Sequence, residues 1–281
     1  MTPKYFDIHS HPQFSAYDKD REGVLGRMRE SGTWTIAVGS SREASEKAVE
    51  LANKEEGIFA SVGLHPIHSS VCSHDPAESD CVAGVETPAE EFDYDFYKKL
   101  AADKKVVAIG ECGLDFFHLD ETTKDLSAQA GKQKKIFLKQ IELANEIGKP
   151  LMLHIRDGYK DALEIIKKHA KVKGNVHFFA GDLKTAKEFL DLGFTLSFTG
   201  VITYPPKVGV PDYAEIIKNI PIEMIMAETD APYVAPMPYR GKRNEPVFVS
   251  EVVKKIAEIK GLPVEETASI LVANARRVFK I

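Results

Sequence analysis

The sequence predicts a single α/β domain folded as one TIM (β/α)8 barrel, eight parallel strands each followed by a helix. Three observations carry the prediction. Eight short apolar runs can be read along the chain, helix-patterned segments separate them, and side chains able to bind a metal recur just where the runs stop. A chain of 281 residues fits one such barrel, so residues 1–281 are read as one domain. A doubly wound open sheet is the alternative that the same alternation allows.

Taken in order, the strands are expected at residues 5–9 (YFDIH), 34–38 (WTIAV), 58–62 (IFASV), 106–110 (VVAIG), 151–155 (LMLHI), 175–178 (NVHF), 195–198 (TLSF) and 224–227 (MIMA). Each run closes on a polar or Gly/Pro turn. The segments between them carry helical periodicity. In 133–147, Ile136, Phe137, Gln140, Ile141 and Ala144 form a stripe three to four residues apart, and Gly148 and Pro150 stop the helix before the fifth strand. One stretch breaks the rhythm: 68–95 is acidic and rich in Ser, Pro and Asp, and reads as an inserted surface loop. Cys72, His74 and Cys81 lie in it, at a spacing that matches no standard zinc site.

The longest apolar stretches are far too short to span a bilayer, and no basic region followed by an apolar run marks the start of the chain. Three cysteines without a CxxC pair suit a reducing compartment better than a disulfide framework, so a cytoplasmic protein is expected. A net charge of -5 argues against coating nucleic acid with a broad basic surface. It leaves a nuclease open, because cations held in an active site supply local positive charge.

The chemistry is read from the strand ends, where barrel enzymes place their active sites. The first strand ends in His9 and His11, the third leads to His65, the fourth to Glu111, the fifth to His154, the sixth to His177 and the eighth to Asp230. Simple alternation puts His9 and His11 in the barrel interior with Phe6 and Ile8 toward the helices. The same parity turns Val107, Ile109 and Glu111 inward, and Met226, Glu228 and Asp230. Four imidazoles and two carboxylates offer mixed nitrogen and oxygen ligation, suited to zinc, manganese or magnesium. They suffice for two ions sharing one carboxylate, roughly 3.5 to 4 Å apart, a pair that activates water for phosphoryl displacement.

Other roles follow from position. Asp230 is the candidate general base, and Glu228, one layer below, either orients a metal-binding imidazole or forms a buried ion pair. Arg156 shares the parity of His154 and its fork could grip a phosphate, with an ion pair to Asp157 as the alternative. Arg240, Lys242 and Arg243 cluster after the last ligand and could meet a nucleic-acid backbone, or form a solvated basic loop, while Asn244 and Glu245 are expected to hold that loop.

Eight segments, FDIHSH (6–11), VGLHP (62–66), IGECGLD (109–115), LHIRD (153–157), HFFAG (177–181), ETDAP (228–232), RGKRNEP (240–246) and NARRVF (274–279), together resemble the TatD-type metal-dependent deoxyribonucleases, a branch of the amidohydrolase-like barrels. The resemblance runs nearly end to end. It implies that His9, His11, Glu111 and Asp230 bind one divalent ion and Glu111, His154 and His177 a second, with Glu111 as the bridge. It also implies that His65 contacts a phosphate or leaving group. Relatives that bridge their metals with a carboxylated lysine fit less well, because Lys104 and Lys105 lie at the wrong end of the fourth strand. The activity implied is phosphodiester hydrolysis, with trimming of single-stranded DNA from its 3′ end. A hydrolase of amide, ester or aminoacyl bonds is the alternative on the same barrel. Two departures stand out: Ala180 replaces a small hydroxyl residue, and the acidic loop is longer, which would favour chain ends or small phosphodiesters over long polyanions.

Overall fold

The alternation in the sequence is realised as β1 (Tyr5–Ser10), α1 (Arg21–Ser31), β2 (Thr33–Val38), α2 (Arg42–Lys54), β3 (Ile58–Val62), α3 (Tyr94–Leu100), β4 (Val106–Asp115), α4 (Leu126–Ile147), β5 (Leu151–Arg156), α5 (Tyr159–His169), β6 (Gly174–Val176), α6 (Leu183–Asp191), β7 (Thr195–Phe198), α7 (Tyr213–Asn219), β8 (Ile225–Ala227), α8 (Val249–Lys260) and α9 (Val264–Phe279). The structure, a computed structural model, describes residues 2–70, 88–119 and 125–281. The strands form one sheet in the order β1 to β8, every neighbouring pair parallel. The ring closes where β1 meets the chain just after β8. There Asp230 N–H donates to His9 O (2.9 Å) and His11 N–H to Ala231 O (2.7 Å).

Two apolar layers hold the barrel. Ala37, Val62, Ile109, Leu153, Val176, Leu196 and Ala227 face outward and pack with residues of the surrounding helices. Phe6, Ile8, Ile36, Val38, Val107, Met152 and Met226 form a separate cluster with Val272, Ala275 and Phe279 of α9. These side chains come from five strands around the ring, so they fill its interior.

Simple alternation is therefore corrected at two places. Phe6 and Ile8 point into the barrel, and Ile109 points out of it. Both strands slip register, β1 between Asp7 and Ser10 and β4 between Ile109 and Cys112. A slip of this kind reverses the faces beyond it, which is how His9 and Glu111 reach the interior. The Asp7 carboxylate sits at the slip in β1, accepting from His9 N–H (3.2 Å), Thr229 N–H (2.9 Å) and the Thr229 hydroxyl (2.6 Å).

Element lengths differ from expectation where glycine or positive φ intervenes. β4 runs on to Asp115, so Glu111 stands inside the strand and Asp115 at its end. The ECGLD segment reads as a turn because of its glycine, yet Gly113 stays in the strand, where a Cβ would lie 2.0 Å from His154 O. β6 stops at Val176, and Phe178 beyond it takes φ of 44°. α4 begins at Leu126, where Asp125 accepts from Ala128 N–H (2.8 Å), and ends at Gly148 as expected.

Of the stretch 68–95, the described ends are ordered: His68 and Ser69 lie in a 3-10 turn (Pro66–Ser69), and α3 starts at Tyr94 under the Asp93 cap. Cys72, His74 and Cys81 lie outside the described residues. Among the described residues no helix is long and apolar enough to cross a membrane.

Candidate metal centre

Glu111 is the hub of the site, because its two oxygens face different partners. Oε2 lies 3.4 Å from His9 Nε2. Oε1 lies 2.9 Å from His177 Nε2, 3.0 Å from His154 Nδ1 and 3.4 Å from His65 Nε2. On the Oε2 side, Asp230 Oδ1 is 3.7 Å from His9 Nε2 and 3.5 Å from His11 Nε2. All six residues expected as ligands thus converge, with His65 beside them. Their atoms form three overlapping groups, His9–His11–Asp230, His9–Glu111–His177 and His65–Glu111–His154, each within 4.8 Å.

Hydrogen-bond partners behind the rings decide which nitrogen carries a proton. His11 Nδ1 faces the Val38 carbonyl at 2.8 Å, an oxygen that can only accept, so Nδ1 donates and Nε2 presents its lone pair. His154 Nε2 faces the Asp115 carboxylate at 3.1 Å, which leaves the lone pair on Nδ1. His177 Nδ1 faces Glu228 Oε1 at 3.6 Å, and its Nε2 points at Glu111. His154 Nδ1 and His177 Nε2 then lie only 3.3 Å apart. With both rings neutral and these atoms unprotonated, lone pairs turned on one another at that distance repel unless a proton or a metal cation lies among them. Ligands about 2.1 Å from one ion sit roughly 3.0 to 3.4 Å apart, and the observed spacings are of that size. His9 is fully buried and stacked on His177 at 3.8 Å, and neither of its nitrogens has a hydrogen-bond partner among the described residues. A divalent cation satisfies this arrangement; an apolar filling would not.

His65 is different. Its Nδ1 accepts the Ile67 backbone N–H (3.2 Å), so in the neutral ring the proton is on Nε2, the atom aimed at Glu111 Oε1. Burial, reinforced by the neighbouring His154, holds His65 well below the usual imidazole range and keeps it neutral. It offers a donor to an oxygen in the cleft.

The electric field of the centre favours positive charge. Burial alone would raise the Glu111 carboxyl, but the imidazoles of His65, His177 and His9 around it drive it well below the usual range. Burial alone would lower His177, and the charges of Glu111 and Glu228 instead raise it well above. Burial works against Asp115 too, and the hydrogen bonds from His118 and His154 reverse it and hold it ionised.

Glu228 is buried and ends a chain of donors in which Thr195 Oγ1 donates to Asn175 Oδ1 (3.0 Å), Asn175 Nδ2 to Ser197 Oγ (2.6 Å) and Ser197 Oγ to Glu228 Oε2 (2.8 Å). Its other oxygen accepts Phe178 N–H (2.5 Å) and lies 3.6 Å from His177 Nδ1, a contact that both expected readings, orienting group and buried ion pair, share. Asp115 was not singled out by the sequence reading, although it anchors His154 and His118 Nδ1 (2.7 Å) and is itself held by Gln133, whose amide bonds both Asp115 N–H and Asp115 O at 2.8 Å. The available signal was an acid in the longer IGECGLD segment followed three residues later by His118.

The basic residues separate. Arg156 lines the cleft and makes no ion pair with Asp157; its guanidinium lies over the Phe117 ring, 3.7 Å from the centroid. Arg243 does not line the cleft. It forms a two-pronged pair with Asp20 (2.8 and 2.7 Å), donates to Ala16 O (2.7 Å) and covers the Tyr17 ring. Arg243, expected to meet substrate, thus has its fork engaged by Asp20 outside the cleft lining. Arg240 is exposed over the Tyr204 ring (4.4 Å), outside the cleft lining. Asn244 and Glu245 hold the loop as expected: Asn244 Nδ2 donates to Thr229 O and Tyr233 O, and Glu245 pairs twice with Arg27 at 2.8 Å.

The cleft above the candidate ligands has a volume of about 370 Å³, and its lining includes Arg156 and His118 together with Phe14, Tyr233 and Val234. The sequence matches the family model described as TatD related DNase over residues 6–280. A relative named uncharacterized metal-dependent hydrolase YabD, from Bacillus subtilis, is 37% identical over 98% of this chain and 99% of its own. The 3'-5' ssDNA/RNA exonuclease TatD of Pantoea ananatis is 32% identical over 98% of each. Among solved structures, the TatD homologue YjjV of Escherichia coli superimposes with a TM-score of 0.81 at 26% identity, over the whole of both chains.

Proposed function

The chain belongs to the TatD related DNase family, and from that premise we propose that it is a two-metal phosphodiester hydrolase that shortens single-stranded DNA from the 3′ end. At the level of class it is a metal-dependent hydrolase of that family. The observation that carries the proposal is the division of Glu111, one oxygen toward His9 and the other toward His154 and His177. In this reading His9, His11, Glu111 and Asp230 hold one ion and Glu111, His154 and His177 the other. Mg2+, Mn2+ and Zn2+ all suit nitrogen and oxygen ligands. Two such ions supply Lewis acidity toward the phosphoryl oxygens and toward water.

The chain's own groups do the rest. Asp230 lines the cleft and takes the proton of the attacking water. His65, neutral with its proton on Nε2, donates to an oxygen of the phosphate or of the leaving group. Arg156 supplies a planar fork for a phosphate oxygen pair. Arg240 on its exposed turn adds longer-range attraction for the strand. A narrow cleft over a buried centre suits a strand end better than a continuous duplex. The names of relatives support this reading too, one of them an exonuclease of single-stranded DNA and RNA.

The test is an incubation of metal-loaded protein with end-labelled single- and double-stranded DNA, with and without chelator. A ladder that shortens from the 3′ end of the single strand and vanishes with chelator is expected. No DNA cleavage, with turnover on an amide, ester or lactone panel, would replace the proposal. Glu111→Ala should lower the rate by ~10³-fold or more while circular dichroism stays unchanged. Retained cleavage with normal metal content in that variant would remove the bridging role.

A further inference from the structure

Phe117 is among the few large apolar side chains left open, with 55% of its surface exposed, although it follows Asp115 of the metal centre by only two residues. One of its contacts is Arg156, whose guanidinium carbon lies 3.7 Å from the ring centroid, and His118 packs edge-on against it at 5.0 Å. The half-buried Arg156 side chain makes no hydrogen bond or ion pair among the described residues and lines the cleft, whereas Phe117 lies outside the lining, against the lining residues Arg156 and His118. A cation with unused donors therefore sits at the edge of the site, backed by an aromatic ring that is still wet. Water-exposed phenylalanine is unfavourable, and covering it returns that free energy. A flat partner next to an anion is what this pair accommodates, and a nucleotide of a single strand is flat at the base and anionic at the phosphate.

We propose that Phe117 and Arg156 form a nucleotide-binding shelf at the rim of the cleft, Arg156 gripping the phosphate and the open part of the Phe117 ring stacking the base of the nucleotide next to the one removed. This deepens the nuclease reading and rests on it. The shelf selects unpaired strands, because a base inside a duplex has both faces covered by its neighbours. It is indifferent to base identity, since every base has a π-face. The ring also backs the guanidinium, so Arg156→Lys would retain the charge and lose the planar fork.

The experiment compares the metal-loaded full chain with its Phe117→Ala and Phe117→Trp variants on a single-stranded oligodeoxynucleotide, intact or with an abasic site one nucleotide from the 3′ end. For wild type, the abasic strand should show a KM about tenfold higher than the intact one, within the ~5- to 160-fold range of base-stacking losses. F117A should raise KM for the intact strand by a similar factor and erase the difference between the two strands, and F117W should restore it. Equal KM values for intact and abasic strands on wild type, or a difference that persists in F117A, would overturn the shelf and leave the nuclease reading standing. Absence of nucleic-acid cleavage by wild type would overturn both. Because Phe117 is exposed, the melting temperature of F117A should match wild type, which separates a binding defect from a folding one.

Discussion

Asp115 shows how a residue outside the ligand set governs it. Its carboxylate fixes the proton of His154 on Nε2 and so aims the Nδ1 lone pair at Glu111 Oε1. Asp115→Asn is expected to weaken metal binding by about 10- to 100-fold, the usual effect of losing an acid behind a metal-bound histidine. A metal titration followed by equilibrium dialysis checks it; unchanged affinity would leave Asp115 with a purely structural part. Arg243 makes the opposite case. Its fork is taken up by Asp20, so Arg243→Ala should leave KM for single-stranded DNA within about twofold of wild type and act, if at all, on thermal stability. Ligand candidates were readable because each lies at or just beyond the end of a short apolar run of the sequence. Asp115 was not, because the polar ECGLD segment gives no periodicity by which to recognise it as strand.

At the scale of elements, α4 works as a rigid ruler for two strand ends. Gln140 bonds both main-chain groups of Leu64 at 2.9 Å, and Gln133, two turns earlier on the same face, does the same for Asp115. The neighbour of Leu64 is His65, so each glutamine amide sets one functional group by holding the backbone beside it. Gln140→Leu would leave the buried Leu64 N–H and C=O without partners, and about 2–4 kcal/mol of stability should be lost. Urea unfolding measures this, and a loss under about 0.5 kcal/mol would contradict it. The apolar stripe of α4 was legible from spacing alone, and its Gly148 stop as well. That Gln140 is a buried backbone clamp was not: in the sequence it only shares the stripe, and the strand end it reaches lies 76 residues away.

The molecule as a whole gathers the candidate ligands from β1, β4, β5 and the chain just after β1, β6 and β8 over one apolar plug, so a bound metal would be coupled to folding. Ions that bind only the folded chain stabilise it by about 2.7 kcal/mol at a concentration a hundredfold above Kd. Stripping with chelator should therefore lower Tm by roughly 5–10 °C, and re-addition of Mn2+ or Zn2+ should restore it. A Tm indifferent to chelator would speak against tight sites. The order of residues was enough to predict eight strand–helix units and to single out six candidate ligands, because strand periodicity and ligand chemistry are local, whereas the closed ring was decided against an open doubly wound sheet only by the pairing of the chain after β8 with β1. Which face each ligand takes was decided only in three dimensions. The slips in β1 and β4 are set by how those strands pair with their neighbours, and no single run records its partner's register. The same holds for charge: Arg156 and Arg243 look alike along the chain, and only packing leaves the first facing the cleft and closes the second onto Asp20.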